Sequence, residues 1–345
     1  MNYEVNGYNI FVIVLVTFVS SIILVPIMRK VAIHVNALDE PNARRLNKIA
    51  MPTLGGLAIF FSFMLGYMLY ANQSLQMLSI LMGSFLLVIF GMVDCINPVK
   101  AKYRFLVQVV AAAIIVFYGN IVLNEITIFG KYFFFPQPWN YILTILFIVT
   151  ITNAINFTDG MDGLASGISS IYFLTIAIIS FILKRSDGLD VILSLIMLGS
   201  TLGFLVYNFP PAIIYLGDTG SQFLGFIIAV IALLGFKTAT FTSLIIPVLI
   251  LAIPLFDVVF AIIRRTLKKE NPTKPDKSHF HHQLLKMKFS TKTSLLIIYF
   301  IEILFAAVSI LYALGDTTYA VIIYIGLMIV FIFIVMTTDI LFPKK

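Results

Sequence analysis

Charged side chains are scarce in this sequence, at 11% of 345 residues, where a water-soluble domain carries roughly 25%. With 60% hydrophobic residues and a mean hydropathy of +1.04, a soluble globular fold is excluded. Cysteine is nearly absent. The single Cys95 forbids an intrachain disulfide and gives no redox pair to reason from. There is no internal repeat, no low-complexity tract and no polar stretch long enough for a soluble domain. A basic leader is missing too: the first apolar segment follows Glu4 and ends in Pro26, Arg29 and Lys30 without a small-residue cleavage site. That segment is therefore expected to stay as a membrane span and not to be removed as a signal peptide.

Apolar runs of about twenty residues, enough to cross a hydrocarbon core of about 30 Å, recur along the whole chain. They predict eleven spans: Ile10 to Met28, Leu54 to Tyr70, Leu75 to Val93, Phe105 to Tyr118, Trp139 to Ile155, Leu164 to Leu183, Val191 to Tyr207, Gln222 to Phe236, Phe241 to Ile263, Leu295 to Leu314 and Tyr319 to Ile340. Backbone groups in lipid must be satisfied within the segment, so the spans are helices. The expected fold is an all-α polytopic integral membrane protein of about eleven transmembrane helices, one catalytic domain over residues 1–345 with a histidine loop at 264–292. Between spans, Asn120 to Pro138 alternates in a β pattern with Gly130-Lys131 as a turn, which predicts a small external β-hairpin; an aromatic interface anchor is the alternative.

Nineteen of the 23 Lys and Arg fall in loops on one side, which sets the N-terminus outside and the C-terminus in the cytoplasm. The same bias explains the net charge of +7 without nucleic acid as a partner. Asp39, Glu40, Asp94, Asp159, Asp162, Asp218, Asp257, Glu270 and Asp276 gather at inner segment ends, and Glu302 alone lies well inside a span. A secondary transporter would place ionisable groups near the midplane and show inverted repeats. Convergence on one surface favours chemistry at the inner membrane face.

Four motif groups carry that chemistry. In Asn156-Phe157-Thr158-Asp159-Gly160-Met161-Asp162-Gly163, two carboxylates three residues apart between glycines suit an imide edge, a ribose or a hydrated cation. Simple helix capping explains them equally well. In Asn208-Phe209-Pro210-Pro211-Ala212 and Tyr215-Leu216-Gly217-Asp218-Thr219-Gly220-Ser221, a helix N-terminus can receive phosphate oxygens. An Asp there would repel a bare phosphate, which implies a bridging cation, most economically Mg²⁺; Asp218 as a plain N-cap is the competing reading. His279-Phe280-His281-His282 holds three of the four histidines. No cysteine lies near enough to complete a zinc site, so these imidazoles better suit sugar hydroxyls or a diphosphate, with a merely solvated loop as the alternative. The fourth group joins Asp39 to Arg45, Pro52-Thr53-Leu54-Gly55-Gly56, and Asp94-Cys95 with Lys102 and Gln108.

Together these motifs resemble, in order and spacing, the polyprenyl-phosphate N-acetylhexosamine-1-phosphate transferases, whose sister branch makes the first lipid intermediate of peptidoglycan. The His-x-His-His form resembles the branch that uses UDP-N-acetylglucosamine. The resemblance implies transfer of a sugar 1-phosphate from a UDP-N-acetylhexosamine to undecaprenyl or another polyprenyl phosphate with release of UMP, the first membrane step of an envelope polysaccharide such as teichoic acid or lipopolysaccharide. It implies Mg²⁺, with Mn²⁺ as a substitute, on Asp218. Asn156, Asp159, Asp162 and Tyr215 would line the nucleotide pocket, and Asn208 would support the metal region. His279, His281, His282 and Arg265 would hold sugar and diphosphate, Asp94 would position or deprotonate the lipid phosphate, and Lys102 would offset developing charge. The inner plasma membrane is the implied location, and a homodimer is compatible with the pattern. Where the family usually shows two adjacent aspartates this chain has Asp94-Cys95, and where it often shows a basic residue followed by x-His this chain has Arg45-Leu46-Asn47. A weakened UDP-sugar-binding relative is the alternative that this departure keeps open, ahead of a lipid or solute transporter.

Overall fold

The computed structural model of the chain describes residues 3–40, 50–128, 131–185, 187–237, 245–267 and 279–337. Short two-residue strands flank the first helix, β1(Glu4–Val5) with β2(Tyr8–Asn9) and β3(Leu38–Asp39) with β4(Met51–Pro52), both antiparallel. The helices are α1(Ile10–His34), α2(Gly55–Tyr70), α3(Leu75–Ile96), α4(Ala101–Ala113), α5(Trp139–Thr158), α6(Leu164–Ile182), α7(Leu189–Asn208), α8(Gly217–Lys237), α9(Ile245–Ile250), α10(Ala252–Leu267), α11(Phe280–Lys286), α12(Thr291–Ala313) and α13(Thr317–Thr337). A single π turn continues α4 through Tyr118. The fold is that of an all-α polytopic membrane protein.

Among the described residues, nine helices are long and apolar enough to cross a bilayer, and Gly55–Tyr70 is a shorter apolar helix. The ninth expected span, Phe241 to Ile263, is helix on both sides of Leu251: its start lies outside the described residues, and the rest divides into α9 and α10. Pro254 explains the interruption, because it lacks the N–H that the Ile250 carbonyl would accept. Other bounds move outward at polar ends. α3 runs past Val93 to Ile96, α5 past Ile155 to Thr158, and α8 begins at Gly217 instead of Gln222. The external hairpin is present as β5(Glu125–Ile128) and β6(Lys131–Phe134), paired Glu125↔Phe134 to Ile128↔Lys131. Lys131 opens the second strand and is not part of the turn.

Internal contacts group the chain into two compact units, Met1–Ile245 and Ile246–Lys345. In the first unit α8 is the hub, packed by α2, α3, α5, α6 and α7, while α1 lies against α7 and α2. Every residue from Thr219 to Gly235 is buried. In lipid no hydrophobic gain drives such contact, so close backbone approach over small residues must supply it. In the second unit α12 packs on α13, α10 and α11.

Candidate active site

Successive helices of the first unit alternate in direction, which brings the N-terminal ends of α2, α4, α6 and α8 to the C-terminal ends of α3, α5 and α7. The two glycine-bearing termini at this end fit only because they lack a side chain. A Cβ on Gly56 would lie 2.2 Å from Gly220 N, and one on Gly91 would lie 2.6 Å from Thr219 Cα. Gly55 N donates to Tyr215 O at 3.0 Å, Gly56 N to Leu216 O at 2.9 Å, and Tyr215 N to Pro52 O at 2.8 Å. Pro52-Thr53-Leu54-Gly55-Gly56 is thus laced to the segment that delivers Asp218 into the first turn of α8.

Four residues form a charged layer there. The Arg104 guanidinium joins two carboxylates, with Nε 2.6 Å from Asp94 Oδ2 and Nη1 3.2 Å from Asp218 Oδ2. Asn156 Nδ2 donates to Asp218 Oδ1 at 2.8 Å and to Ser221 Oγ at 2.7 Å. Val99 N donates to Asp94 Oδ1 at 2.6 Å. The Asp94 side chain is fully buried, whereas that of Asp218 is 29% exposed. Asp94 thus accepts a backbone hydrogen bond through Oδ1 and faces Arg104 as an ion pair through Oδ2. The sequence reading named Lys102 as the cation of this region; the structure leaves Lys102 exposed with its ammonium over the Tyr103 ring, 4.9 Å from the centroid. Helical spacing could have told them apart, since Arg104 shares a face with buried Gln108 four residues on, and Lys102 does not.

One turn below lies a layer of amides. Gln108 Nε2 donates to Gln222 Oε1 at 3.3 Å and to Asn153 Oδ1 at 3.4 Å, and Asn153 Nδ2 returns a bond to Gln108 Oε1 at 2.7 Å. Each member sits three or four residues from a member of the charged layer on the same helix: Gln108 below Arg104 on α4, Asn153 below Asn156 on α5, Gln222 below Asp218 on α8.

The remaining expected residues divide by what they touch. Asn208 is buried, its Oδ1 accepting from Gly163 N at 3.1 Å and Ser166 Oγ at 2.8 Å, and its Nδ2 donating to Ile214 O at 2.9 Å. Both ends of that amide are hydrogen-bonded within the fold, so Asn208 ties the start of α6 to the α7–α8 loop. Asp162 Oδ2 accepts from Ala212 N at 3.0 Å, which ties the α5–α6 turn to the α7–α8 loop. Asp159 and Tyr215 are half-buried at the same end of the unit. Cys95 places Sγ 3.6 Å from Thr53 O and 3.6 Å from Thr219 Oγ1, beside the charged layer but outside the Arg104 clamp.

In the second unit, Asp257 of α10 accepts from Phe280 N at 3.0 Å and pairs through Oδ2 with His279 Nδ1 at 3.0 Å. This fixes the His279 ring, which stacks on His281 with centroids 5.8 Å apart. His281 is buried, and its Nε2 has no hydrogen-bond partner among the described residues; burial, then the neighbouring His282, pushes its pKa down to about 3. Arg265 lies in the last turn of α10. The sequence shows Asp257 only as one of the acidic residues at inner segment ends; the structure makes it the group that orients a histidine. Pro275 to Ser278 and Pro41 to Arg45 lie outside the described residues.

Among the described residues no three His, Cys, Asp or Glu converge to hold a metal alone. Asp218 nevertheless fits a hard cation of the Mg²⁺ type, which is usually bound through one or two carboxylates with phosphate oxygens and water completing the shell.

The model of glycosyl transferase family 4 matches residues 77–236, the stretch from α3 to α8 that builds both layers. A Bacillus subtilis (strain 168) protein, described as a probable undecaprenyl-phosphate N-acetylglucosaminyl 1-phosphate transferase, is 41% identical over 335 residues, covering 95% of this chain and 90% of the relative. The chain belongs to glycosyl transferase family 4. Other family 4 relatives are an undecaprenyl-phosphate alpha-N-acetylglucosaminyl 1-phosphate transferase of Salmonella typhi, 32% identical with 85% of this chain and 81% of the relative covered, and a decaprenyl-phosphate N-acetylglucosaminephosphotransferase of Mycobacterium tuberculosis (strain CDC 1551 / Oshkosh), 30% identical with 79% and 74% covered. The likeness to the Bacillus protein takes in both units, whereas the family model ends before the histidine segment.

Proposed function

We propose that this chain transfers N-acetylglucosamine 1-phosphate from UDP-N-acetylglucosamine to a polyprenyl phosphate, releasing UMP, at the cytoplasmic face of a bacterial plasma membrane. The observation that carries the reading is the charged layer at the helix ends, two carboxylates bridged by one guanidinium, in a chain 41% identical over nearly its whole length to the Bacillus transferase. An oxygen of the lipid phosphate attacks the β-phosphorus, the bond from that phosphorus to the bridging oxygen breaks, and UMP departs with that oxygen. Such a reaction needs positioning and charge stabilisation more than covalent help.

Asp218 would hold Mg²⁺, which when bound would neutralise charge on the diphosphate. Asn156, itself bonded to Ser221, fixes the Asp218 carboxylate, and Arg104, held by Asp94, offers a guanidinium to phosphate oxygens. A phosphate with a second pKa of about 6 is already largely ionised at neutral pH, so the attacking group needs no strong base. This agrees with Asp94 as an anchor. Asp159 and Tyr215 are proposed to contact the nucleotide, with the Tyr215 ring as a stacking face for uracil. His279, His282 and Arg265 are proposed to serve the sugar and the diphosphate. The test is purified protein with radiolabelled UDP-N-acetylglucosamine, undecaprenyl phosphate and Mg²⁺. The expected products are a lipid-linked sugar diphosphate and UMP, and added UMP should reverse the reaction. Release of UDP, or donor binding with no transfer at all, would overturn the assignment.

A further inference from the structure

We propose that Arg104 is an interlock between cation and donor: its guanidinium occupies Asp218 in the empty enzyme and yields that carboxylate to a divalent cation only when an anionic diphosphate draws the guanidinium away. The inference rests on the reading above that Asp218 takes the cation, and goes beyond it by giving the order in which the charges exchange.

The geometry has a built-in asymmetry. Arg104 Nε is 2.6 Å from Asp94, whose side chain is fully buried, and Arg104 Nη1 is 3.2 Å from the partly open Asp218. The Asp94 contact is the anchor, because removing a buried ion from its partner leaves an uncompensated charge. The Asp218 contact is the longer of the two, faces solvent on both partners, and is the one that can open. Asp218 has no spare oxygen in this state, since Asn156 donates to Oδ1 at 2.8 Å and Arg104 takes Oδ2. A divalent cation arriving alone would share a carboxylate with a guanidinium of like sign. A diphosphate arriving beside it supplies the oxygens to which Arg104 can turn while its Nε stays on Asp94. Cation and donor should therefore each tighten the binding of the other by the same factor. Lys102, exposed and turned onto Tyr103, makes no contact with either carboxylate and cannot play this part.

A guanidinium that merely binds phosphate predicts something different: its loss would weaken donor binding and leave cation binding alone untouched. The experiment measures Mn²⁺ binding by electron paramagnetic resonance on the full chain in detergent, with and without UDP-N-acetylglucosamine and without lipid acceptor, so that no turnover occurs. In the unsubstituted protein Mn²⁺ alone should bind weakly, and the donor should tighten it by about tenfold or more, within the usual 5- to 150-fold range of such couplings. In Arg104→Gln, Mn²⁺ alone should bind about tenfold tighter and the donor should add little. Because Arg104→Gln leaves Asp94 charged and buried, the double variant Asp94→Asn/Arg104→Gln is measured beside it with the same expectation. Unchanged or weaker Mn²⁺ binding without donor in both variants, or an undiminished donor effect, would overturn the interlock while leaving the cation assignment standing. Failure of the unsubstituted protein to bind Mn²⁺ even with donor would remove both.

Discussion

Asp218→Asn is the sharpest perturbation of the site, because it changes charge without changing shape. Asp218 Oδ1 receives Asn156 Nδ2 at 2.8 Å, and Oδ2 faces Arg104 Nη1 at 3.2 Å. A side-chain amide has one acceptor and one donor end, so either rotamer sets its NH₂ against another donor, on Asn156 or on Arg104. The stability cost is small, at most about 1 kcal/mol, because the Arg104–Asp218 contact is partly exposed and screened. The functional cost is larger. Losing a carboxylate that holds a cation on a reacting diphosphate removes several kcal/mol of charge stabilisation, or at least about 10³-fold in kcat. Initial rates of radiolabelled lipid product, set beside the melting temperature in detergent, separate the two effects. Turnover within tenfold of the unsubstituted protein, at equal melting temperature, would refute the role given to Asp218.

Other substitutions probe the parts that hold the layer in place. Gln108→Leu takes the amide partner from buried Gln222 and from half-buried Asn153, which keeps its bond to Val149 O, and should lower stability by about 1–3 kcal/mol and reduce kcat, whereas Gln108→Glu should retain more of both; equal melting curves and rates for all three would show that the amide layer is idle. Gly91→Ala sets a Cβ 2.6 Å from the Thr219 backbone, which no side-chain rotation can relieve, and should sharply reduce both folded yield and transfer. Cys95→Ser exchanges one weak contact with Thr219 for another, so its rate should stay within about fivefold, roughly 1 kcal/mol; a large loss would mean that the thiol does more than pack. His281 is buried as the neutral imidazole, with its pKa pushed down from the ordinary value to about 3. Its contribution is fully present above about pH 6.5 and is lost as pH falls toward 3, at up to about 1.4 kcal/mol per pH unit. Melting temperatures from pH 7 to 4 should fall less steeply for His281→Gln than for the unsubstituted protein.

The membrane fold was legible because lipid leaves the chain no choice: a long apolar run must close its own backbone hydrogen bonds, so hydropathy alone located the helices. It could not find their ends. α3, α5 and α8 each carry polar residues in a terminal turn, Asp94, Asn156 and Asp218, and a scale that scores polarity as loop stops short of them. Those same residues were nevertheless singled out as chemical, because capping explains each group alone but not their joint order and spacing, which resemble those of a transferase family. What stayed hidden was pairing. Nothing local distinguishes Arg104 from Lys102 until α4 is given a phase, and nothing near Asn208 shows that its amide is already spent on Gly163, Ser166 and Ile214. Hydropathy also reads straight through Pro254, so Phe241 to Ile263 is expected as one span, whereas the helix is interrupted at Leu251.

The layer formed by Gln108, Asn153 and Gln222 has a bearing on how deep the chemistry can sit. These side chains are neutral at any pH, yet they carry donors and acceptors that satisfy one another. They form a floor that is polar enough to border Arg104, Asp94 and Asp218 and uncharged enough to border hydrocarbon. Charges resting directly on leucine would be driven outward toward water. With an amide storey beneath them they can be sunk to the level at which a lipid-borne phosphate travels, so that the acceptor need not be lifted out of the membrane to react.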